Sequence, residues 1–234
     1  MPTHHRVPVD GDAVAAVHHE AESEDWLVFC HGFRSDKSGS YEGRCERAVE
    51  EGYNAVRFDF RGCGESDGSF RDATLSARIA DLRAVADHFG IESAALVGSS
   101  FGGKVAVHVA AADDWPTAVA TRAPVTYNRA FEGYRRDVER DGEYCFDTGE
   151  CVDEGFFADL ADYDFDSVAA DLDVPVAIVH GRADDSVSVA DSFAAAQALD
   201  TDVLLQTYAG EGHLFSRGAE ARFRDLVFEW LARR

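Results

Sequence analysis

Residues 96–107, LVGSSFGGKVAV, carry two overlapping glycine patterns with different chemical meanings. Gly98, Ser100 and Gly102 spell G-x-S-x-G, the pattern of a serine exposed on a sharp strand-to-helix turn. Gly98, Gly103 and Lys104 spell most of G-x-x-x-x-G-K, a loop whose backbone amides cradle phosphates. The phosphate reading fails at its chemical end. The residue after the lysine must carry a hydroxyl for the magnesium that accompanies the phosphates, and here it is Val105. Such a loop also ordinarily follows the first strand of its domain, whereas this one follows several.

The serine reading gains from its surroundings. AALV (94–97) is a compact apolar run of strand length and FGGKVAVHVAA (101–111) reads as a helix, so Ser100 falls where strand becomes helix. The turn strains the serine backbone and demands small neighbours two residues away on either side. Gly98 and Gly102 meet that demand for Ser100; Ser99 has Val97 and Phe101 instead. The helix N-terminus beyond the turn points amide N–H groups at any developing anion. Alone, the pattern also fits a glycine-rich turn with an incidental serine, so it needs partners.

Three other stretches supply them. WLVFCHGF (26–33) puts His31-Gly32-Phe33 straight after an early strand, in the loop that lends one backbone N–H to the oxyanion hole of an elbow enzyme. Phe33 N–H and Phe101 N–H are therefore the candidate donors, with His31 holding the loop or touching substrate. VAIVHGRADDSV (176–187) ends a strand at His180-Gly181 and offers Asp184 on the following loop, with Asp185 as its rival. The H-G-x-x-D-x-x-V spacing favours Asp184. YAGEGHLF (208–215) places His213 on a glycine-rich loop before the last helix. A serine hydroxyl is a weak nucleophile until a base takes its proton, and imidazole titrates near working pH. Ser100, Asp184 and His213 run in the chain order Ser…Asp…His of this layout.

Around these motifs, RVPV and AVAAVHH flank an Asp-Gly-Asp turn at 10–12 and predict an antiparallel hairpin. Apolar runs at 26–30, 55–60, 94–98, 118–123, 176–180 and 203–208 alternate with helical stretches, among them ATLSARIADLRAVADHFG, which closes on Gly90. The pattern predicts an α/β fold with a mostly parallel sheet and helices on both faces. The alternation breaks once, at about 125–173, where aromatics mix with acids; this stretch reads as an insertion within a single domain spanning 1–234.

Together these residues resemble the α/β-hydrolase superfamily. The similarity is greatest to its compact, small-lidded branch of cinnamoyl and feruloyl esterases and serine-aminopeptidase-like hydrolases. FDFRGCGESDGSF (58–70) matches that branch's D-x-R-G-x-G-x-S segment after the fourth strand, and the resemblance runs from Trp26 to the last helix. It implies a cofactor-free serine hydrolase acting on a small-molecule ester, specifically carboxylic esters of short or aromatic acyl groups. Peptidase, amidase and thioesterase activities remain alternatives, since the triad alone does not separate them. A dehalogenase or epoxide hydrolase would carry aspartate in place of Ser100. A non-catalytic binding protein would be expected to have lost a triad member. The resemblance implies that the insertion at about 125–173 folds over the site as a lid; its Tyr127, Phe131, Phe156 and Phe157, with His31, are the candidate substrate contacts, and the aromatics could equally form the lid's own core.

Composition narrows the partners. Forty-four acids against 22 bases give a net charge of −22, which disfavours nucleic acid and anionic membranes. Only Lys37 and Lys104 are lysines; the acid-rich, lysine-poor balance resembles proteins of salt-accumulating halophiles. The N-terminus MPTHHRVPVD lacks a signal-peptide pattern, and no apolar run approaches the ~20 residues of a membrane span. A soluble, cytoplasmic protein is the expectation. Five cysteines without a C-x-x-C pair suggest neither a disulfide framework nor a metal site, and Cys145 and Cys151 are expected as free thiols, though they could pair.

Overall fold

The computed structural model describes residues 1–234. β1 (Thr3–Val9) and β2 (Asp12–His19) form the antiparallel hairpin, turning through Asp10 and Gly11, both at positive φ. Then come β3 (Trp26–Cys30), α1 (Ser40–Glu50), β4 (Asn54–Phe58), α2 (Leu75–Phe89), β5 (Ala94–Ser99), α3 (Phe101–Ala112) and β6 (Pro116–Arg122). The long connection after β6 holds α4 (Glu132–Asp141), a small ribbon of β7 (Glu143–Cys145) and β8 (Cys151–Asp153), α5 (Glu154–Ala161) and α6 (Phe165–Asp171). The chain closes with β9 (Val176–Gly181), α7 (Val189–Ala198), β10 (Val203–Tyr208) and α8 (Arg217–Leu231).

Eight strands form one sheet in the order β1-β2-β4-β3-β5-β6-β9-β10, parallel from β4 onward. The chain leaves β3 for β4 on one side and then crosses back to β5 on the other. The strand order therefore reverses between β3 and β5, and α/β sheets place their functional crevice beyond the carboxyl ends at such a point. The predicted loops after β3, β5, β9 and β10 all leave the sheet at that edge.

Strand side chains alternate between two cores. Leu27 and Phe29 of β3 join Tyr41, Cys45 and the α8 residues Phe223 and Trp230 on one face. Val28 and Cys30 join α2 and α3 on the other, where the long connection adds its aromatics. Helix α1 was not expected from the sequence: among its buried residues only Tyr41, Cys45 and Ala48 are apolar, too sparse a stripe to stand out. Its buried Arg44 donates to Glu220 at 2.6 and 2.9 Å and to Ser99 Oγ at 3.0 Å, joining α1, α8 and the end of β5.

The expectation of free thiols at Cys145 and Cys151 is corrected: they form a disulfide. The β7–β8 ribbon sets the two residues opposite one another, a pairing that strands of three residues do not announce in sequence. Cys30, Cys45 and Cys63 are free and buried. Glu143 lies near both bridged sulfurs, but a disulfide offers a metal no thiolate. No helix is long and apolar enough to cross a membrane.

Candidate active site

Ser100 caps α3 with φ 53° and ψ −118°, a positive-φ conformation that is costly for a residue with a Cβ. The surroundings enforce it. Its N–H donates to Arg122 O at 2.9 Å, and its carbonyl accepts from Gly103 and Val125 N–H at 3.0 Å each. A Cβ on Gly98 would lie 2.5 Å from Gly102 O, and one on Gly102 would lie 2.3 Å from Cys30 O. Only glycine fits at either place. The sharp turn thus presses α3 against the end of β3, and Gly32 comes so close that a Cβ there would touch Ser100 Cβ at 3.5 Å.

His213 Nε2 lies 3.0 Å from Ser100 Oγ, and His213 Nδ1 lies 2.7 Å from Asp184 Oδ2. An ionised carboxylate only accepts, so Nδ1 carries the hydrogen and the Nε2 lone pair faces the serine hydroxyl. Asp184 Oδ1 accepts from the N–H groups of Ser186 and Val187 at 2.9 Å each, and its side chain is fully enclosed. Burial works against its charge, but hydrogen bonds from His180, His213 and Val187 overcome it and hold the carboxyl well below the usual range. Asp185, the rival acid, is exposed and engages only Ser186 Oγ at 3.4 Å. The His213 loop crosses β9 at Gly181, where a Cβ would stand 2.3 Å from Glu211 O. Glu211 fastens that loop by accepting from Ser216 N–H and Oγ at 2.9 Å.

His31 is fully buried, and both of its ring nitrogens serve the loop. Nε2 accepts from Phe60 N–H at 3.0 Å, which leaves Nδ1–H to donate to Gly32 O at 2.8 Å. Burial, reinforced by the Arg78 charge, pushes its imidazole down to about 3, so it stays neutral. Beneath it, Asp59 of the FDFRGCGESDGSF segment accepts from Lys37 N–H and Nζ at 2.6 Å each and from Glu65 N–H at 2.8 Å. The Phe33 N–H makes no hydrogen bond within the loop, and Phe101 N–H, first in α3, has no helical acceptor behind it. The two rings pack with centroids 5.1 Å apart.

Of the aromatics in the long connection after β6, Phe131 and Phe156 lie against Phe33 at 5.0 and 5.2 Å between centroids. Phe157 stacks edge-on against Phe156, and half-buried Tyr127 packs on Phe165 at 5.1 Å, away from this cluster. Two participants escaped the sequence reading. His180, next to last in β9, donates to Asp184; Gly181 makes room for the His213 loop. The signal for His180 was present, an imidazole at a strand end four residues before the acid.

A sequence model of the alpha/beta hydrolase family matches residues 27–226. Among curated proteins, the mitochondrial palmitoyl-protein thioesterase ABHD10 of Homo sapiens is 26% identical over 203 residues, 78% of this chain and 65% of that protein. The chain thus spans about two thirds of its curated relative's length. Est1E from Butyrivibrio proteoclasticus, solved with ferulic acid bound, superposes with a TM-score of 0.85 over 97% of this chain and 99% of that one, at 21% identity. A putative hydrolase from Agrobacterium vitis S4 gives 0.83 over 97% of each chain, at 25% identity. Mouse ABHD10 gives 0.83 over 99% of each, at 20%. The expectation of a cytoplasmic location does not stand, because the matching curated relatives are mitochondrial proteins. Its premises spoke only against a secretory signal and a membrane span, and neither separates cytosol from an organelle interior. By the family match over residues 27–226, which the shared sheet accompanies, the chain belongs to the alpha/beta hydrolase family.

Proposed function

We propose that this protein cleaves carboxylic esters of short or aromatic acyl groups through a covalent acyl-enzyme on Ser100. The observation that carries the reading is the unbroken relay from Ser100 Oγ through His213 to Asp184, at 3.0 and 2.7 Å. His213 Nε2 takes the hydroxyl proton as Oγ attacks the acyl carbonyl, and Asp184 stabilises the imidazolium that forms. The oxyanion accepts from Phe33 and Phe101 N–H. The imidazolium then protonates the leaving alcohol, and water activated by the same ring releases the acid. The connection between β6 and β9 acts as the lid of this single-domain enzyme. Its Phe131 and Phe156, in contact with Phe33, favour a short apolar acyl slot; Tyr127 and Phe157 shape its surroundings, while His31 supports the oxyanion loop.

Thioester cleavage is the second reading, favoured by the thioesterase relatives. The same acyl-enzyme serves both. The test compares wild type with Ser100→Ala on p-nitrophenyl acetate, methyl hydroxycinnamates and an acyl thioester in molar KCl. Wild-type turnover should fall by several orders of magnitude in the variant, about 10⁶ in a comparable triad enzyme. Equal turnover by the two proteins sinks the proposal, and the ester-to-thioester ratio decides between its two forms.

A further inference from the structure

Arg78 sits in the first turn of α2, fully buried, with no carboxylate within ion-pair distance, in a chain that has 44 of them. An enclosed guanidinium without a counter-ion is costly and is retained only where its hydrogen bonds and surroundings repay it. Its Nε donates to Ala73 O at 3.1 Å and its Nη2 to Phe33 O at 3.0 Å, with Cys63 Sγ at 3.7 Å; Nη1 has no partner. The guanidinium carbon also lies 5.5 Å from the Phe33 ring centroid and 5.4 Å from that of Phe101, with Phe60 and Phe70 closing the cage. One side chain therefore touches both residues proposed above as the oxyanion donors.

We propose that Arg78 is a positioning residue for the oxyanion hole. It anchors the Phe33 backbone to α2 and fixes the spacing of the Phe33 and Phe101 amides through its contact with both rings. The inference rests on the assignment of those two amides as oxyanion donors. An apolar side chain of similar length would fill the same space at lower cost, so packing alone does not account for a guanidinium here. A hydrogen bond to Phe33 O and a cation–π contact to both rings do account for it. The Arg78 charge also acts on the loop, since it is the second cause, after burial, of the depressed His31 value.

The experiment measures kcat, KM and inhibition by an aryl trifluoromethyl ketone for wild type, Arg78→Met, Arg78→Lys and Ser100→Ala. The ketone adds Ser100 Oγ across its carbonyl and places the resulting oxyanion in the hole, so its affinity reports the donors' alignment. We expect Arg78→Met to lose about 10–100-fold in kcat and a matching factor in ketone affinity, with KM within about threefold of wild type. Arg78→Lys keeps the charge but not the fork, and should fall between. A variant that merely loosens the fold lowers the melting temperature without this parallel loss. Wild-type kcat and ketone affinity in either folded Arg78 variant overturn the proposal, and Arg78→Lys carries the test alone if Arg78→Met does not fold. Loss of activity in Ser100→Ala beside a fully active Arg78 variant overturns the role of Arg78 only. An active Ser100→Ala overturns the acyl-enzyme on Ser100, and this proposal with it.

Discussion

His180 Nε2 lies 3.0 Å from Asp184 Oδ2, the same oxygen that His213 Nδ1 reaches at 2.7 Å. Val187 O, 3.1 Å from His180 Nε2, can only accept, so Nε2 carries the hydrogen and Nδ1 takes the Ser192 hydroxyl at 2.7 Å. The ring is completely enclosed. His180 therefore locks the rotamer of the carboxylate that orients His213. Both imidazoles converge on one oxygen, but only His213 faces the serine.

His180→Ala should leave a cavity and unpaired polar groups, costing about 2–4 kcal/mol of stability. Because it frees Asp184 to shift, it should also lower kcat by about 10–100-fold, the scale of a misplacement near 1 Å. His180→Gln, with an amide donor, should restore part of both. Unfolding curves and ester turnover check this. Unchanged kcat in folded His180→Ala would show that the Ser186 and Val187 amides hold Asp184 unaided.

Gly98→Ala tests the turn itself. The added methyl would meet backbone on α3 at 2.5 Å, so α3 or Ser100 must move. Overpacking of this kind costs about 1–3 kcal/mol, and here the strain falls on Ser100. Turnover should drop more steeply than the melting temperature. Wild-type turnover would mean that the elbow tolerates displacement.

The disulfide bears on the site through the ribbon tip. Arg34 lies 4.0 Å over the Phe146 ring and donates to Thr148 Oγ1 at 3.2 Å, so the tip rests on the loop that carries Phe33. Closing so short a loop contributes at most about 2 kcal/mol. Arg71, paired with Glu143 and Asp153, holds the ribbon's base whichever state the sulfurs are in. Dithiothreitol should lower the wild-type melting temperature and slow ester turnover a few-fold. A Cys145→Ser, Cys151→Ser double variant should be insensitive to it. Identical responses of the two proteins would count against any role for the bridge.

Ser100, Asp184 and His213 were legible because each sits on a loop whose glycines answer a steric demand, and glycine next to a strand end is a strong local signal. The sheet was legible from apolar runs of strand length. What escaped depends on contacts distant in sequence. Helix α1 shows a stripe of three apolar residues, and its buried Arg44 is explained only by Glu220, 176 residues away. β7 and β8 are too short for an alternation to register. Arg78 stands three residues after Leu75 on the buried side of α2, a charge in an apolar stripe, but its partner Phe33 O is visible only in three dimensions. The two lysines that the charge count singled out are both buried, at 6% and 0% exposure, so the surface bases are all arginine.

The second of those lysines gives the fold a pH dependence of definite sign. Lys104 lies one turn past Ser100 on α3, and its Nζ donates to Tyr163 O at 2.9 Å and Thr126 O at 3.4 Å, both in the connection that covers the sheet. Burial, only partly opposed by Asp164, pushes its ammonium from 10.5 down to about 7. Between those values the unfolded chain holds the proton that the folded chain has released, so stability rises with pH across the window. Below about 7 both states are protonated and the full cost of burying the charge applies. Lys104→Met removes that cost but strands two carbonyls, a penalty independent of pH. Relative to the variant, wild type should therefore gain more than about 1 kcal/mol between pH 6 and pH 9. The buried thiols titrate in both proteins and cancel from the difference. Denaturant unfolding of the pair across this range is the measurement, and a flat difference would mean that Lys104 keeps its proton in the folded chain throughout.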